Sequence, residues 1–158
     1  MSGESNLKKV TLELGGKSAM IICKDADLEQ AAIACHVGLF INMGQCCCAS
    51  SRILIHEDVH DEFVEKVKAL ASTLRTQGDT TSETAVPICD LGPQIDEIQF
   101  KKIMSYIETG KAEGAKCLLG GARQGTKGYY VQPTIFTECT DESESRNPCH
   151  HFDLQGCI

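Results

Sequence analysis

Apolar and polar side chains alternate from Val10 to Leu14, with Val10, Leu12 and Leu14 on one side and Thr11 and Glu13 on the other. A two-residue period is that of a strand, so Glu13 is expected near a strand end, pointing away from the apolar set. After Gly15 and Gly16 the run Ala19-Met20-Ile21-Ile22-Cys23 reads as a second, buried strand. The period then changes. Asp25 and Asp27 open a helix in which Leu28, Ala31, Ala32, Cys35, Leu39 and Phe40 share one stripe, ending near Gly44.

The same alternation of elements continues. Arg52 to His56 suits a strand, and Val59, Phe63, Val67, Leu70 and Leu74 recur at helical spacing from Asp58 to Arg75. Residues 78–92 are polar, contain Pro87 and read as a loop. Asp96 with Gln99 forms a capping-box pattern ahead of Phe100, Ile103, Met104 and Ile107, and Lys116-Cys117-Leu118-Leu119 reads as the strand that follows. Strands alternating with helices predict an α/β fold, a mostly parallel sheet with helices on both faces. Ligands of such sheets sit beyond the carboxyl ends of the strands, an edge that both Glu13 and the loop after Gly44 could reach.

Composition narrows the function. The formal charge of −7 argues against nucleic acid or anionic membrane as a partner, since both demand basic patches. No apolar run reaches the roughly 18 residues that span a bilayer, and the stretch Met1-Ser2-Gly3-Glu4 has no apolar signal region. A cytoplasmic protein is expected, with a mitochondrial form left open because a transit peptide would precede Met1. The ten cysteines lack the spacing of a secreted disulfide framework, so reduced thiols are expected. The nearest approach to a metal-ligand pattern, Cys149, His150, His151 and Cys157, is weak, and no metal is expected. His36, His56 and His60 stand singly and read as surface or core residues. Two phosphate-binding patterns fail: Gly16-Lys17-Ser18 lacks the P-loop glycine at Thr11, and Gly120 to Gly125 lacks the dinucleotide spacing.

The most informative run is Gln45-Cys46-Cys47-Cys48, whose middle cysteine lies 34 residues (47 minus 13) beyond Glu13. A thiolate is the strongest side-chain nucleophile near neutral pH, and a carboxylate beside an acyl intermediate can activate water. Each feature also has a bland reading, packed thiols and a solvated glutamate at a glycine turn. Taken together, Ser5 to Ser18, Gly44 to Ala49, Tyr106 to Lys111, Glu113 to Lys116 and Gly128 to Thr134 resemble the catalytic domain of NAD(P)-dependent aldehyde dehydrogenases of the class 1/2 type.

The resemblance implies roles. Cys47 would be the nucleophile and Glu13 the general base, with Leu14 and Gly15 beside the nicotinamide of NAD or NADP and a small aldehyde as substrate. The aldehyde would be oxidised to a carboxylic acid through a thiohemiacetal and a thioester on Cys47. Residues 1–141 are expected to be a partial catalytic domain and 142–158 a divergent, irregular tail. The main cofactor-binding domain of such enzymes would precede Met1, so this chain alone is expected to be inactive. Association with full-length enzyme or with its own copies is expected from surfaces that such a domain would cover. Two other classes fit the residues: a non-catalytic interaction fragment, and a thiol redox or metal-binding protein built on the cysteine cluster.

Overall fold

A computed structural model describes residues 3–74 and 90–139. Strand β1 (Ala19–Ile22) runs parallel to β2 (Arg52–Ile55), joined through helix α1 (Leu28–Phe40). Helix α2 (His60–Ser72) follows β2; helix α3 (Glu97–Ala112) leads into β3 (Lys116–Leu119), which pairs antiparallel with β4 (Ile135–Thr137). The fold is α/β. Its parallel character resides in β1 and β2, while β3 and β4 form an antiparallel pair.

Local chemistry explains the helices. The Asp27 carboxylate accepts hydrogen bonds from the Glu29 and Gln30 amides at 3.0 and 3.1 Å and starts α1. Asp96 does the same for α3 through the Gln99 amide at 2.7 Å. The expected stripe of α1 is buried at Ala32, Cys35, Leu39 and Phe40, and faces Phe63, Val67 and Ala71 of α2 and Ile22 and Ile53 of the strands. Lys66 of α2 pairs with Glu29 of α1 across this contact. A second, smaller core gathers Ile103 and Ile107 of α3 with Ala115, Val131 and Phe136.

Three expectations need correction. Residues 10–14 form no strand: Leu7, Val10, Leu12 and Leu14 are 58–77% exposed, and no strand among the described residues lies alongside them. Alternation supplies a face, but a strand also needs a neighbouring edge for its amides and carbonyls. Strand β1 is buried on one side only, since Ile22 packs inward while Ile21 stays 69% exposed. Helix α1 stops at Phe40 rather than near Gly44, giving way to a tight turn over Ile41–Gly44. The loop expected at 78–92 falls outside the described residues up to position 89, as do the 142–158 tail and its weak Cys149, His150, His151, Cys157 metal pattern.

Candidate active site

The turn after α1 aims the cysteine run. Asn42, Met43 and Gly44 all have left-handed backbone, with φ of 50°, 58° and 79°. Glycine takes this conformation freely and asparagine readily, whereas methionine pays on the order of 1–3 kcal/mol for it. The surroundings hold the strain in place. Asn42 Nδ2 donates to the Gln45 carbonyl at 2.9 Å, the Gln45 amide to the Asn42 carbonyl at 3.0 Å, and Gln94 Nε2 to the Met43 carbonyl at 3.5 Å. The Gln45 side-chain oxygen accepts from the Ile95 amide at 3.1 Å, so the segment before α3 clasps the loop from the other side.

The triplet then makes its own turn. The Ala49 amide donates to the Cys46 carbonyl at 3.0 Å, and the Cys46 amide to the Gly44 carbonyl at 2.9 Å. Cys47 and Cys48 are exposed and Cys46 is half-buried. The sulfurs of Cys46 and Cys48 lie 3.5 Å apart, and this contact, followed by the charges on Cys46 and Cys47, pushes the Cys48 thiol up from its ordinary range. The seven described cysteines are free thiols. Cys35 differs most from the triplet, because burial pushes its thiol from 9.0 up to about 12.

Strand register brings the glutamate segment to the same place. Partners in the β1–β2 pair differ by 33 residues (52 minus 19), and the Arg52 amide extends the pairing back to the Ser18 carbonyl at 3.3 Å. Because parallel strands run the same way, the chain leading into β1 lies beside the chain leading into β2. The Gly16 backbone therefore meets the triplet: a Cβ on Gly16 would stand 2.6 Å from the Cys47 carbonyl oxygen. Glu13 is three residues earlier, within about 11 Å of Gly16 by backbone reach. Glu13, Leu14 and Gly15 are exposed there. All of them precede β1, and the triplet precedes β2, so the candidate site lies at the amino edge of the parallel pair and not at the carboxyl edge expected from the sequence.

A cavity of about 640 Å³ opens next to this loop, lined by Asn42, Met43, Gln45, Pro93, Gln94, Ile95 and Gln99. Cys47 and Glu13 stand outside its lining. Of the histidines, His56 accepts from the Asp58 amide, His60 contacts the Asp61 carboxylate at 2.8 Å, and His36 packs on the Phe40 ring. Burial lowers the His36 pKa against the opposing pull of Asp90. Asn42 and Gln45 are the residues whose part in shaping the loop was not read from the sequence; Asn42 and Gly44, two residues tolerant of left-handed backbone in close succession, were the available signal.

Residues 1–147 match the model of the aldehyde dehydrogenase family. The chain belongs to that family. Human mitochondrial aldehyde dehydrogenase is 51% identical over 140 residues, covering 89% of this chain and 26% of the relative. Aldehyde dehydrogenase 9 of Polyandrocarpa misakiensis is 54% identical over 142 residues, covering 90% of this chain and 60% of that relative. The NAD+ complex of aldehyde dehydrogenase from Bacillus cereus superposes with a TM-score of 0.80 at 39% identity, over 92% of this chain and 28% of that one. The chain thus spans about a quarter of the human and bacterial aldehyde dehydrogenases. No helix among the described residues is long and apolar enough to cross a membrane.

Proposed function

We propose that this chain carries the acyl-transfer half of an NAD(P)-dependent aldehyde dehydrogenase site, with Cys47 as nucleophile and Glu13 as general base. The observation that supports this reading most strongly is the contact between Gly16 and the Cys47 carbonyl, which draws the lead-in carrying Glu13 to the cysteine turn. Cys47 is exposed at that turn, open to an aldehyde carbonyl. Its sulfur, as thiolate, adds to the carbonyl carbon to give the oxyanion of a thiohemiacetal, and loss of hydride from that carbon leaves a thioester on Cys47. Glu13 takes a proton from water, the hydroxide attacks the thioester, the C–S bond breaks, and the carboxylic acid departs.

When bound, the nicotinamide accepts the hydride. By resemblance to the family, Leu14 and Gly15, both exposed, would lie beside that ring of NAD or NADP. The sequence has no glycine fingerprint for the pyrophosphate. We therefore expect no NADH from this chain with NAD and a simple aldehyde above a Cys47→Ala control; clear production would contradict it. Iodoacetamide labelling with peptide mapping tests the nucleophile itself. Cys47 should react faster than buried Cys35 and than Cys117, whose thiol donates to the Leu119 carbonyl at 3.3 Å. Equal labelling would count against Cys47.

The exposed apolar lead-in favours a second reading, a non-catalytic chain that associates with full-length aldehyde dehydrogenase. Size-exclusion of a mixture separates the two: co-elution with the larger enzyme supports it, independent elution removes it. Relatives named as mitochondrial bring an organellar location into the proposal beside the cytoplasmic one.

A further inference from the structure

Gln94 has no part in the reaction above, and its burial is out of keeping with its chemistry. It is 2% exposed, and its Oε1 is buried with no hydrogen-bond partner among the described residues. A buried amide oxygen without a donor is destabilising, so an apolar side chain of the same shape would suit the packing better. What the amide does supply is a donor. Gln94 Nε2 reaches the Met43 carbonyl at 3.5 Å, and the opposite orientation of the amide would set two oxygens against each other.

Met43 is the strained centre of the turn that leads to the cysteines, with φ of 58° and ψ of 28°. Rotating it back to right-handed backbone would swing the peptide plane that carries this carbonyl and re-aim the chain beyond Gly44. Gln94 stands on a fixed base. Its backbone amide donates to the Tyr129 carbonyl at 2.9 Å, and Leu91, three residues earlier, is buried in the core with α1 and α2. Residues 91–95 engage the turn at three points. A Cβ on Gly92 would stand 3.5 Å from the Met43 sulfur, Gln94 holds the Met43 carbonyl, and the Ile95 amide holds the Gln45 side chain.

We propose that Gln94 is a positioning residue: its amide keeps Met43 left-handed and so fixes how the turn sets the Cys47 backbone against Gly16. The proposal rests on Cys47 and Glu13 being nucleophile and base. The thioester on Cys47 and the water that Glu13 activates belong to two separate segments that meet at Gly16. Acylation needs only the exposed sulfur, which an ester reaches in many orientations of the turn. Deacylation needs both segments in one geometry, and a misplacement of about 1 Å in such a step can cost on the order of 10²-fold in rate. Loss of the clasp therefore falls on the second step.

Gln94→Met keeps the size of the side chain and removes the donor. With p-nitrophenyl acetate this variant should give an undiminished burst, about one equivalent per chain, followed by turnover slowed about tenfold or more. Its melting midpoint should be no lower than that of the unaltered chain, because the orphaned acceptor goes with the donor. Glu13→Gln should add little to the slowing when combined with Gln94→Met, since both act on the same step. Gln45→Met, which unties the turn from the Ile95 amide, is the second variant and should show the same split. Unchanged turnover in Gln94→Met, or slower turnover that comes with a smaller burst and a lower midpoint, would overturn the proposal. An unaltered chain whose burst does not depend on Cys47 would instead remove the nucleophile reading. Hydrogen exchange over residues 41–48 then decides the clasp: exchange unchanged by Gln94→Met overturns it, and faster exchange at an unchanged midpoint supports it.

Discussion

The strands β1 and β2 and the lead-in before β1 carry the same kind of pattern, yet one is packed and the other open. Ile22 and Ile53 are 4% exposed beneath α1 and α2, while Leu12, with equally regular spacing, is 70% exposed. What differs is the edge. Strand β1 has β2 alongside it with all four residues in register, and the pair has helices to cover one face. The lead-in has neither among the described residues, and its contact of consequence is Gly16 against the Cys47 carbonyl. Alternation says which side chains would face together; burial needs a surface to receive them.

The sharpest way to break this contrast is truncation on both sides. Phe63 of α2 is fully buried in the core it shares with α1, so Phe63→Ala should cost about 3–5 kcal/mol in urea unfolding. Leu12→Ala should change stability by no more than about 0.5 kcal/mol. A comparable loss at Leu12 would mean the lead-in is packed after all. Gly16→Val probes the close approach of the lead-in to the cysteine turn. Its Cβ would meet the Cys47 carbonyl oxygen at 2.6 Å, and overpacking of this kind costs about 1–3 kcal/mol. The rate of Cys47 alkylation should change with it, whereas Gly3→Ala, with open space around it, should leave both stability and alkylation as they are.

Smaller effects sharpen the packed side. Asp27→Ala removes the two capping hydrogen bonds of α1 and should lower stability by about 1 kcal/mol. Alkali should act through Cys35. The folded chain holds that proton toward pH 12, whereas the unfolded chain releases it from about 9, so the contribution is full below pH 9 and is lost as pH rises toward 12. Thermal melts between those limits should show a falling midpoint, and Cys35→Ala should flatten the fall.

Helices were the most legible part of the sequence, because each carries its own evidence. The caps Asp27 and Asp96 and the stripes through Leu39, Phe63 and Ile103 follow from spacing within a few turns. Strand β3 was legible beside its helix, but β4, a strand of three residues directly following Thr134, is too short for a period to show. The candidate site was legible in its residue types and not in its place in the fold. Cys47 and Glu13 stand out by type and by family resemblance, while the edge on which they sit depends on which strand forms. With no strand at 10–14, Glu13 precedes β1 just as the triplet precedes β2, and the expected edge is exchanged for the opposite one. The strained turn was missed because Ile41 and Met43 continue an apolar pattern that the backbone does not follow.

Ester acylation tests the central claim, that Cys47 and Glu13 act as nucleophile and base across the Gly16 contact, without waiting on a hydride acceptor. Purified chain mixed with p-nitrophenyl acetate should give a burst of nitrophenolate close to one equivalent per chain, followed by slow turnover. Cys47→Ala should lose the burst, and Glu13→Gln should keep the burst while slowing the turnover that follows. A burst that survives Cys47→Ala, or turnover indifferent to Glu13→Gln, would contradict the account.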